Sequence, residues 1–392
     1  MLIAGGGMGG LAAGLACARA GWKPRLFEQS AQLSEVGAGI QLGPNATRLL
    51  HDWGLEGALA AVAAFPPQLQ VRSATDGAQL GLMRLGSTFA QRYGAPYATV
   101  HRADLQQLLL GGARQAGVDL QLCCAVTAVR QLEGEVLVRV NDAADVDGEL
   151  LIGADGLWSV VRSQAFGDAP PIATGHLAYR AVAAQRDLPT TLRTADVTVW
   201  LGPRLHVVAY PLRGGDWLNV VSIVQGSSRG AAQDWDQAAI AADLYDAMGR
   251  QCAPLQDLVR AMPAWRLWTL HDRDPVAGAD EMARGRVALL GDAAHPMRPY
   301  FAQGAGMAIE DAAELGRVLA AARGVDLDVP AALRAYALER WQRCAQVQAR
   351  SRRNGRIFHA TGPMKWGRDI SMRLLGERLL DQPWLYNGPA LA

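Results

Sequence analysis

Asp292 stands at the end of the unbroken apolar run over residues 287–290, inside the stretch RVALLGDAAHPMRPYFAQGAGMAIEDA (286–312). A carboxylate at the tip of a buried strand can accept charge-assisted hydrogen bonds from sugar hydroxyls. Further on, Gly304, Ala305, Gly306 and Met307 open a helical pattern whose inner side holds Met307, Ile309, Ala312 and Leu315. Glycines there let backbone approach a flat ring. The helix start aims unpaired N–H groups and a partial positive charge at whatever lies above it. The negative pyrimidine side of a reduced flavin would be stabilised in that position. Taken alone, the same residues also fit an ordinary strand–loop–helix connection with Asp292 in a turn.

Two further stretches carry related chemistry. Gly5, Gly7 and Gly10 form GxGxxG. An apolar strand over 2–4 precedes them, an Ala/Leu-rich helix over 11–20 follows, and a second strand over 25–27 ends at Glu28. The first glycine permits a tight turn, the second admits a pyrophosphate, and the third lets helix pack on strand. Glu28 can then accept ribose hydroxyls, so the order reads as a site for an ADP-containing dinucleotide. The other stretch is LLIGADGLWSVVR (150–162), where Asp155-Gly156 closes a buried strand and opens a helix carrying Ser159 and Arg162. Open α/β sheets place ligand contacts at such strand ends. Arg102 precedes the apolar face of a helix over 101–116 and reads either as a surface residue or as a pyrophosphate or ribityl contact. The glycine-rich segment EVGAGIQLGPN (35–45) holds Gln41 and reads as a plain loop or as one that passes along the cofactor.

These residues need a parallel sheet to bring their strand ends together, and the rest of the chain supplies its neighbours. Residues 46–63 read as helix, 66–97 as short strands and turns, and 118–152 as strands with a hairpin near Gly134. Three β-rich runs, DVTVWLG, LHVVAYPL and WLNVVSIV, are separated by Gly202-Pro203 and Gly214-Gly215, which predicts an antiparallel meander. By the period of two, His206, Val208 and Tyr210 share one face and Leu205, Val207 and Ala209 the other. Residues 236–262, 308–322 and 330–352 read as helical. The expected fold is α/β: a Rossmann-like dinucleotide domain (1–67, 98–170, 270–330), an inserted β-rich substrate domain (68–97, 171–269) and a helical C-terminal part (331–392).

With 392 residues, 50% hydrophobic and 19% charged, the chain is expected to fold into a globular protein. A formal net charge of +1 argues against a nucleic-acid surface. No apolar run reaches membrane-spanning length, and the first residues read as a strand rather than a secretory leader. Five cysteines match neither a zinc site nor a disulfide scaffold, which fits a reducing cytoplasm. Cys17, on an apolar helix, reads as core.

Taken together, GxGxxG, DGxxSxxR at 155–162 and GDAAHPxxPxxxQGxG at 291–306 resemble the single-component FAD-dependent aromatic hydroxylases. The resemblance covers nearly the whole chain. It looks closest to the branch acting on salicylate, 3-hydroxybenzoate and 6-hydroxynicotinate, which EVGAGIQLGPN, HRADL, AQGAGMAIEDAA and the tail WLY also resemble. It implies that Glu28 and Arg102 hold the ADP half and pyrophosphate of FAD. It further implies that Asp155 lies near the cofactor, that Asp292 binds the ribityl chain, and that backbone at 304–307 meets the isoalloxazine. Pro299 matches a proline bordering the substrate ring. NAD(P)H would visit transiently as reductant, and a flavin C4a-hydroperoxide would transfer oxygen from O2 to a small aromatic substrate.

The group that ionises the ring hydroxyl is less defined. Relatives place His or Tyr on the meander strand, where Ala209 stands at the matching position and Tyr210 follows. Some have a histidine where this chain has Gln41. Either Tyr210 or His206 faces the pocket, or the proton leaves through water. A flavin-dependent halogenase would need a WxWxIP motif, which is absent. An uncoupled NAD(P)H oxidase, an NAD-dependent dehydrogenase and a non-enzymatic FAD-binding sensor are the other readings. The expected assembly is a monomer or homodimer.

Overall fold

Three apolar triplets, Leu2–Ala4, Leu151–Gly153 and Val287–Leu289, lie side by side as parallel strands in the computed structural model, which describes residues 1–33, 39–141, 143, 145–226, 237–322 and 327–389. Their register pairs Ala4 with Gly153 and Gly153 with Leu289, so the three tips end level. Arg25–Phe27 and then Asp119–Gln121 extend the sheet in parallel beyond Leu2–Ala4. Ala283–Arg284 closes the other edge antiparallel. Strands covered on both faces are apolar throughout rather than alternating, as these triplets are. Helices Met8–Arg19 and Gly304–Ala321 pack against each other on this sheet. A Cβ on Gly316 would lie 3.0 Å from that of Ala16, so the small residues set how closely the helices approach.

The second large sheet has eight strands. Its central part is the meander Val197–Gly202, Leu205–Leu212 and Trp217–Gln225, antiparallel as expected, flanked by Ile172–Ala184 and Arg266–Asp272. On the far side it takes in Gln68–Ser73 and Gln79–Arg84. Leu205, Val207 and Ala209 point into a separate core with Leu244, Met248, Leu255 and Leu258 of two short helices. Each buried Val or Leu contributes about 1.5–3 kcal/mol. A one-residue slip would exchange that apolar set for His206 and Tyr210, so the register is strongly determined.

Several helices differ in extent from expectation. Residues 46–63 divide into Pro44–Asp52 and Glu56–Val62 around Gly54, whose φ of +78° no continuing helix accepts. Residues 241–260 divide at Gly249 (φ +61°) into Ala241–Met248 and Ala253–Arg260; residue 236 lies outside the described residues. Ser87–Tyr93 is a helix inside a segment expected to hold only strands and turns. The helix expected over 330–352 runs from Val329 to Phe358 without a break. After it, Gly362–Leu375 and Glu377–Leu380 fold back on strand Gln79–Arg84 of the second sheet, and Pro383–Tyr386 packs on helix Pro44–Asp52. No helix among the described residues is long and apolar enough to cross a membrane.

Candidate active site

The glycine turn after Leu2–Ala4 shows what each glycine is for. Gly5 has φ +100°, and a Cβ there would lie 2.5 Å from the Ala154 oxygen. A Cβ on Gly10 would lie 1.9 Å from the Gly5 oxygen, so only glycine lets the helix pass that close. At Gly7 a Cβ would meet nothing within 4 Å, because the residue faces a groove of about 300 Å³. Gly7 caps helix Met8–Arg19 with no side-chain partner and no acid in the first turn, so the helix's free N–H groups look into that groove. Glu28 is held at the neighbouring tip: its Oε2 accepts from the Gly6 N–H at 2.7 Å and its Oε1 from the Ser30 N–H at 2.8 Å. Arg102, Arg180 and Asp292 line the same groove. Two guanidiniums against one carboxylate suit a pyrophosphate. A loop-to-helix anion seat of this build fits an FAD, with Gly7 leaving the space that its phosphates need. Gly7→Val should therefore keep the melting temperature within a few degrees yet yield a colourless protein, whereas Gly10→Ala should fail to fold. Visible absorbance and thermal melts of the two purified variants check this.

Asp155 lies between two residues of the groove, and its carboxylate is engaged within its own segment. Its Oδ1 accepts from the Ser159 hydroxyl at 2.5 Å and its Oδ2 from the Val161 N–H at 3.0 Å. The carboxylate turns into the start of helix Val160–Phe166, and only its neighbours Ala154 and Gly156 line the groove. Ser159 Oγ in turn accepts from the Arg162 N–H at 2.8 Å. Arg162 is buried and donates through Nη1 to the carbonyls of Ala293 and Ala294 at 3.1 and 2.6 Å, while Nε reaches Asp168 at 2.5 Å. The DGxxSxxR motif thus clamps the loop that carries Asp292. Arg162→Met would leave two buried carbonyls without donors, each costing about 1–3 kcal/mol. It should weaken FAD retention at least tenfold, measurable by fluorescence on release of the flavin, although Arg162 is remote from the groove.

The third strand tip is supported from below. Gly291 (φ +57°) donates its N–H to Asp311 Oδ2 at 3.0 Å, and His295 Nε2 meets the same oxygen at 2.5 Å. Arg340 joins Asp311 Oδ1 through Nε at 2.8 Å and Glu310 Oε2 through Nη1 at 2.9 Å. Burial alone would raise the Asp311 pKa, but His295 and Arg340 hold it below the usual carboxylate range. Burial would lower that of His295, yet Asp311 raises it well above the usual imidazole range. Asn45 Nδ2 ties Glu310 Oε1 (2.7 Å) to Gln303 Oε1 (3.0 Å), which fixes the residue capping helix Gly304–Ala321. That helix also starts without an acid in its first turn. Gly304 and Ala305 face the groove, and a Cβ on Gly304 would meet nothing within 4 Å. Gly306 is turned to Gln303 and Asn45. Met307 is fully buried, with its N–H donated to the Gln303 carbonyl at 2.8 Å. The surface offered to a ring is therefore 304–305, with 306–307 one step behind it.

The groove continues into a larger apolar cavity of about 570 Å³. Gln41, His206, Val208, Pro299, Ala302 and Gln303 line both. His206, Val208 and Tyr210 form the sheet wall, as the period of two requires. Ala209 is corrected: it is buried in the opposite core, because neighbouring strand residues point to opposite faces. Gln41 Oε1 accepts from the Tyr97 hydroxyl at 2.8 Å. Residues 35–38 of the same segment lie outside the described residues. His206 Nδ1 lies 2.8 Å from His359 Nε2, while its Nε2 takes no protein partner among the described residues. Burial first, then His359 and His176, lower the His206 pKa well below the usual imidazole range. Tyr210 is raised to the alkaline side by burial, so its phenol stays protonated.

Sequence reading passed over His295, Asp311 and Arg340, although two of the three lie inside the quoted motif. It also passed over Gln303, Arg180 and His359. His359 follows a long helix whose pattern gives no local sign of chemistry.

Known proteins resemble this chain along its length. The sequence model described as FAD binding domain matches residues 1–351. A 3-hydroxybenzoate 6-hydroxylase of Polaromonas naphthalenivorans is 39% identical over 389 residues, covering 98% of this chain and 95% of the relative. A 6-hydroxynicotinate 3-monooxygenase of Bordetella bronchiseptica is 36% identical over 358 residues, covering 90% of each. The crystal structure of HpxO of Klebsiella pneumoniae, complexed with FAD and uric acid, superposes with a TM-score of 0.84 at 25% identity, over 97% of this chain and 94% of that one.

Proposed function

The chain belongs to the FAD binding domain family, among its flavin-dependent aromatic monooxygenases, and on that premise we propose that it hydroxylates a small phenolic acid with NAD(P)H and O2. The substrate class is a hydroxylated benzoate or pyridine carboxylate. The observation that carries this reading is the continuity of the nucleotide groove with an apolar cavity through His206, Pro299 and Gln303. The names of the two curated relatives support the substrate class.

In this reading Glu28, Gly7 and Arg102 would hold the ADP half and pyrophosphate of FAD, Asp292 would bind its ribityl hydroxyls, and the free N–H groups at 304–305 would stabilise negative charge on its ring. Bound FAD supplies electron transfer from NAD(P)H and activation of O2. Everything else falls to the side chains. The sheet wall and the folded-back C-terminal helices exclude water from the ring. Gln41, held by Tyr97, and Pro299 border the substrate. Val208 packs against it, and His206 Nε2 accepts the proton of the ring hydroxyl, which raises electron density at the carbon to be oxygenated. Tyr210, protonated, is a donor rather than a base.

The test is a panel of hydroxylated benzoates and pyridine carboxylates, together with bulkier phenols that the cavity volume also admits. NAD(P)H oxidation stimulated by one member, with a product heavier by one oxygen atom, is the expected result. Stimulated oxidation that yields only hydrogen peroxide across the panel would instead make the chain an uncoupled oxidase.

A further inference from the structure

We propose that Arg350 and Arg353 form an anion seat at the far end of the apolar cavity, and that it takes the carboxylate of phenolic acids whose acid group is carried on a side chain; this rests on the reading of the ring site given above and extends its substrate class. Both arginines belong to helix Val329–Phe358 and line the cavity but not the nucleotide groove. With Asn354 and Ile357 they stand at i, i+3, i+4 and i+7, which is one face of the helix. Asn354 Nδ2 donates to the Tyr300 carbonyl at 3.1 Å and so holds that face against the loop bearing Pro299.

The charge on this wall is unbalanced. No aspartate or glutamate lines the cavity among the described residues. Arg368, the third arginine of the lining, is engaged: its Nη1 donates to the carbonyls of Ile357 and Phe358 at 3.2 and 2.7 Å, and Asp369 stands beside it. Arg350 and Arg353 have no carboxylate partner among the described residues, and Arg350 Nε is buried without an acceptor. Like charges one turn apart on a helix disfavour each other. Burial, then Arg353, lower the Arg350 pKa. Two cations kept beside an apolar cavity at a cost to folding become favourable when an anion arrives.

The distance along the helix says which acid fits. The rings of Phe358 and His206 lie 5.3 Å apart, centroid to centroid, so Phe358 marks the place where the ring hydroxyl is met. Arg350 stands eight residues before Phe358, about 12 Å along the axis at 1.5 Å per residue. Helical side chains lean toward the N-terminus, which takes the Arg350 guanidinium farther from His206. A carboxylate bonded directly to the ring falls short of that point, whereas one on a side chain of a few atoms reaches it. The cavity of about 570 Å³ has room for the longer molecule, since pockets of roughly 300–1,000 Å³ enclose drug-sized ligands.

The experiment uses the FAD-loaded protein and measures binding by calorimetry, which needs no turnover. The probes are a hydroxybenzoate and phenolic acids with one, two or three carbon atoms between ring and carboxylate, each beside its neutral amide. In the parent protein a side-chain acid should bind about tenfold or more tighter than its amide, the size expected of a hydrogen-bonded charge. Arg350→Gln should abolish that preference, and Arg353→Gln should weaken it. For the hydroxybenzoate and its amide, Arg350→Gln should change the ratio less than threefold. The variant should also melt no lower than the parent, because it removes a cation without a partner. Equal binding of side-chain acid and amide in the parent, or a preference that survives Arg350→Gln, would overturn the seat. A lowered melting temperature with the preference intact would make Arg350 structural and overturn it as well. If the hydroxybenzoate loses its preference just as the longer acids do, the assignment to side-chain acids is wrong. If the acids bind in the expected pattern but none is oxygenated, the hydroxylase reading fails and the seat stands; if phenolic acids are oxygenated without the pattern, the seat alone fails.

Discussion

His206→Asn is expected to lower hydroxylation at neutral pH by about 100- to 10,000-fold, the span typical of a removed general base. FAD binding should persist, since the residues proposed to hold its ADP half and ribityl chain, Gly7, Glu28, Arg102 and Asp292, all lie outside the meander. In the parent protein burial keeps His206 neutral, its pKa lying well below 6.5. The acceptor is therefore ready across the neutral and alkaline range, and the parent rate should be flat there. The variant has no acceptor, so its rate should climb about tenfold per pH unit until the phenol ionises unaided near pH 10. Rapid-mixing measurement of product formation, pH by pH, separates the two profiles. A variant within threefold of the parent at neutral pH would move the base elsewhere, with Tyr210 disfavoured because its phenol is itself held protonated.

The second large effect is on stability. Arg340→Met should cost about 3–5 kcal/mol, the usual consequence of leaving buried partners of a charge uncompensated. Against a total stability of about 5–15 kcal/mol, that places the variant near the threshold of folding. Arg340 is buried between Glu310 and Asp311, both fully buried. Arg343 still reaches Glu310 and His295 still reaches Asp311, so some compensation remains. Arg340→Lys should recover only part of the loss, because a single ammonium cannot bridge two carboxylates as a planar fork does. The pH dependence has a fixed sign. Asp311 has a folded pKa below its unfolded value, so its contribution is present above about pH 4 and is lost as pH falls toward the folded value. His295 has a folded pKa above its unfolded value. Its contribution is present below about pH 6.5 and is lost as pH rises through the raised value. The stability gap between parent and variant should therefore narrow in acid below about pH 4. Denaturant melts at several pH values read this directly, and a gap that widens in acid would contradict the assignment.

How much of this was legible depended on how local the requirement was. Gly5, Gly7 and Gly10 could be assigned from spacing because a tight turn, an open approach and a close helix crossing are demands of adjacent backbone. The level strand tips followed from three short apolar runs, each ended by Gly or Asp. The direction in which a carboxylate turns is not a property of spacing. Asp155 reads like Asp292, but Ser159 four residues on makes it part of a helix cap. The alternation of the meander placed His206 and Tyr210 on one face, and that parity held where the match to relatives pointed to Ala209. His359 was beyond reach: it lies 153 residues from the imidazole it touches, and only the uninterrupted course of helix Val329–Phe358 carries it there.

The meander is two-sided in a way that bears on how such a protein changes over time. Its reverse face is a self-contained apolar layer with the helices Ala241–Met248 and Ala253–Arg260, so positions 206, 208 and 210 can be exchanged without disturbing what stands behind them. In the proposed reading, selection, natural or in the laboratory, can revise ring preference at 208 and 210 while His206 and the nucleotide seat stay as they are. New specificities in this scaffold should therefore accumulate along one strand, at every second residue, like notes changed on a single string.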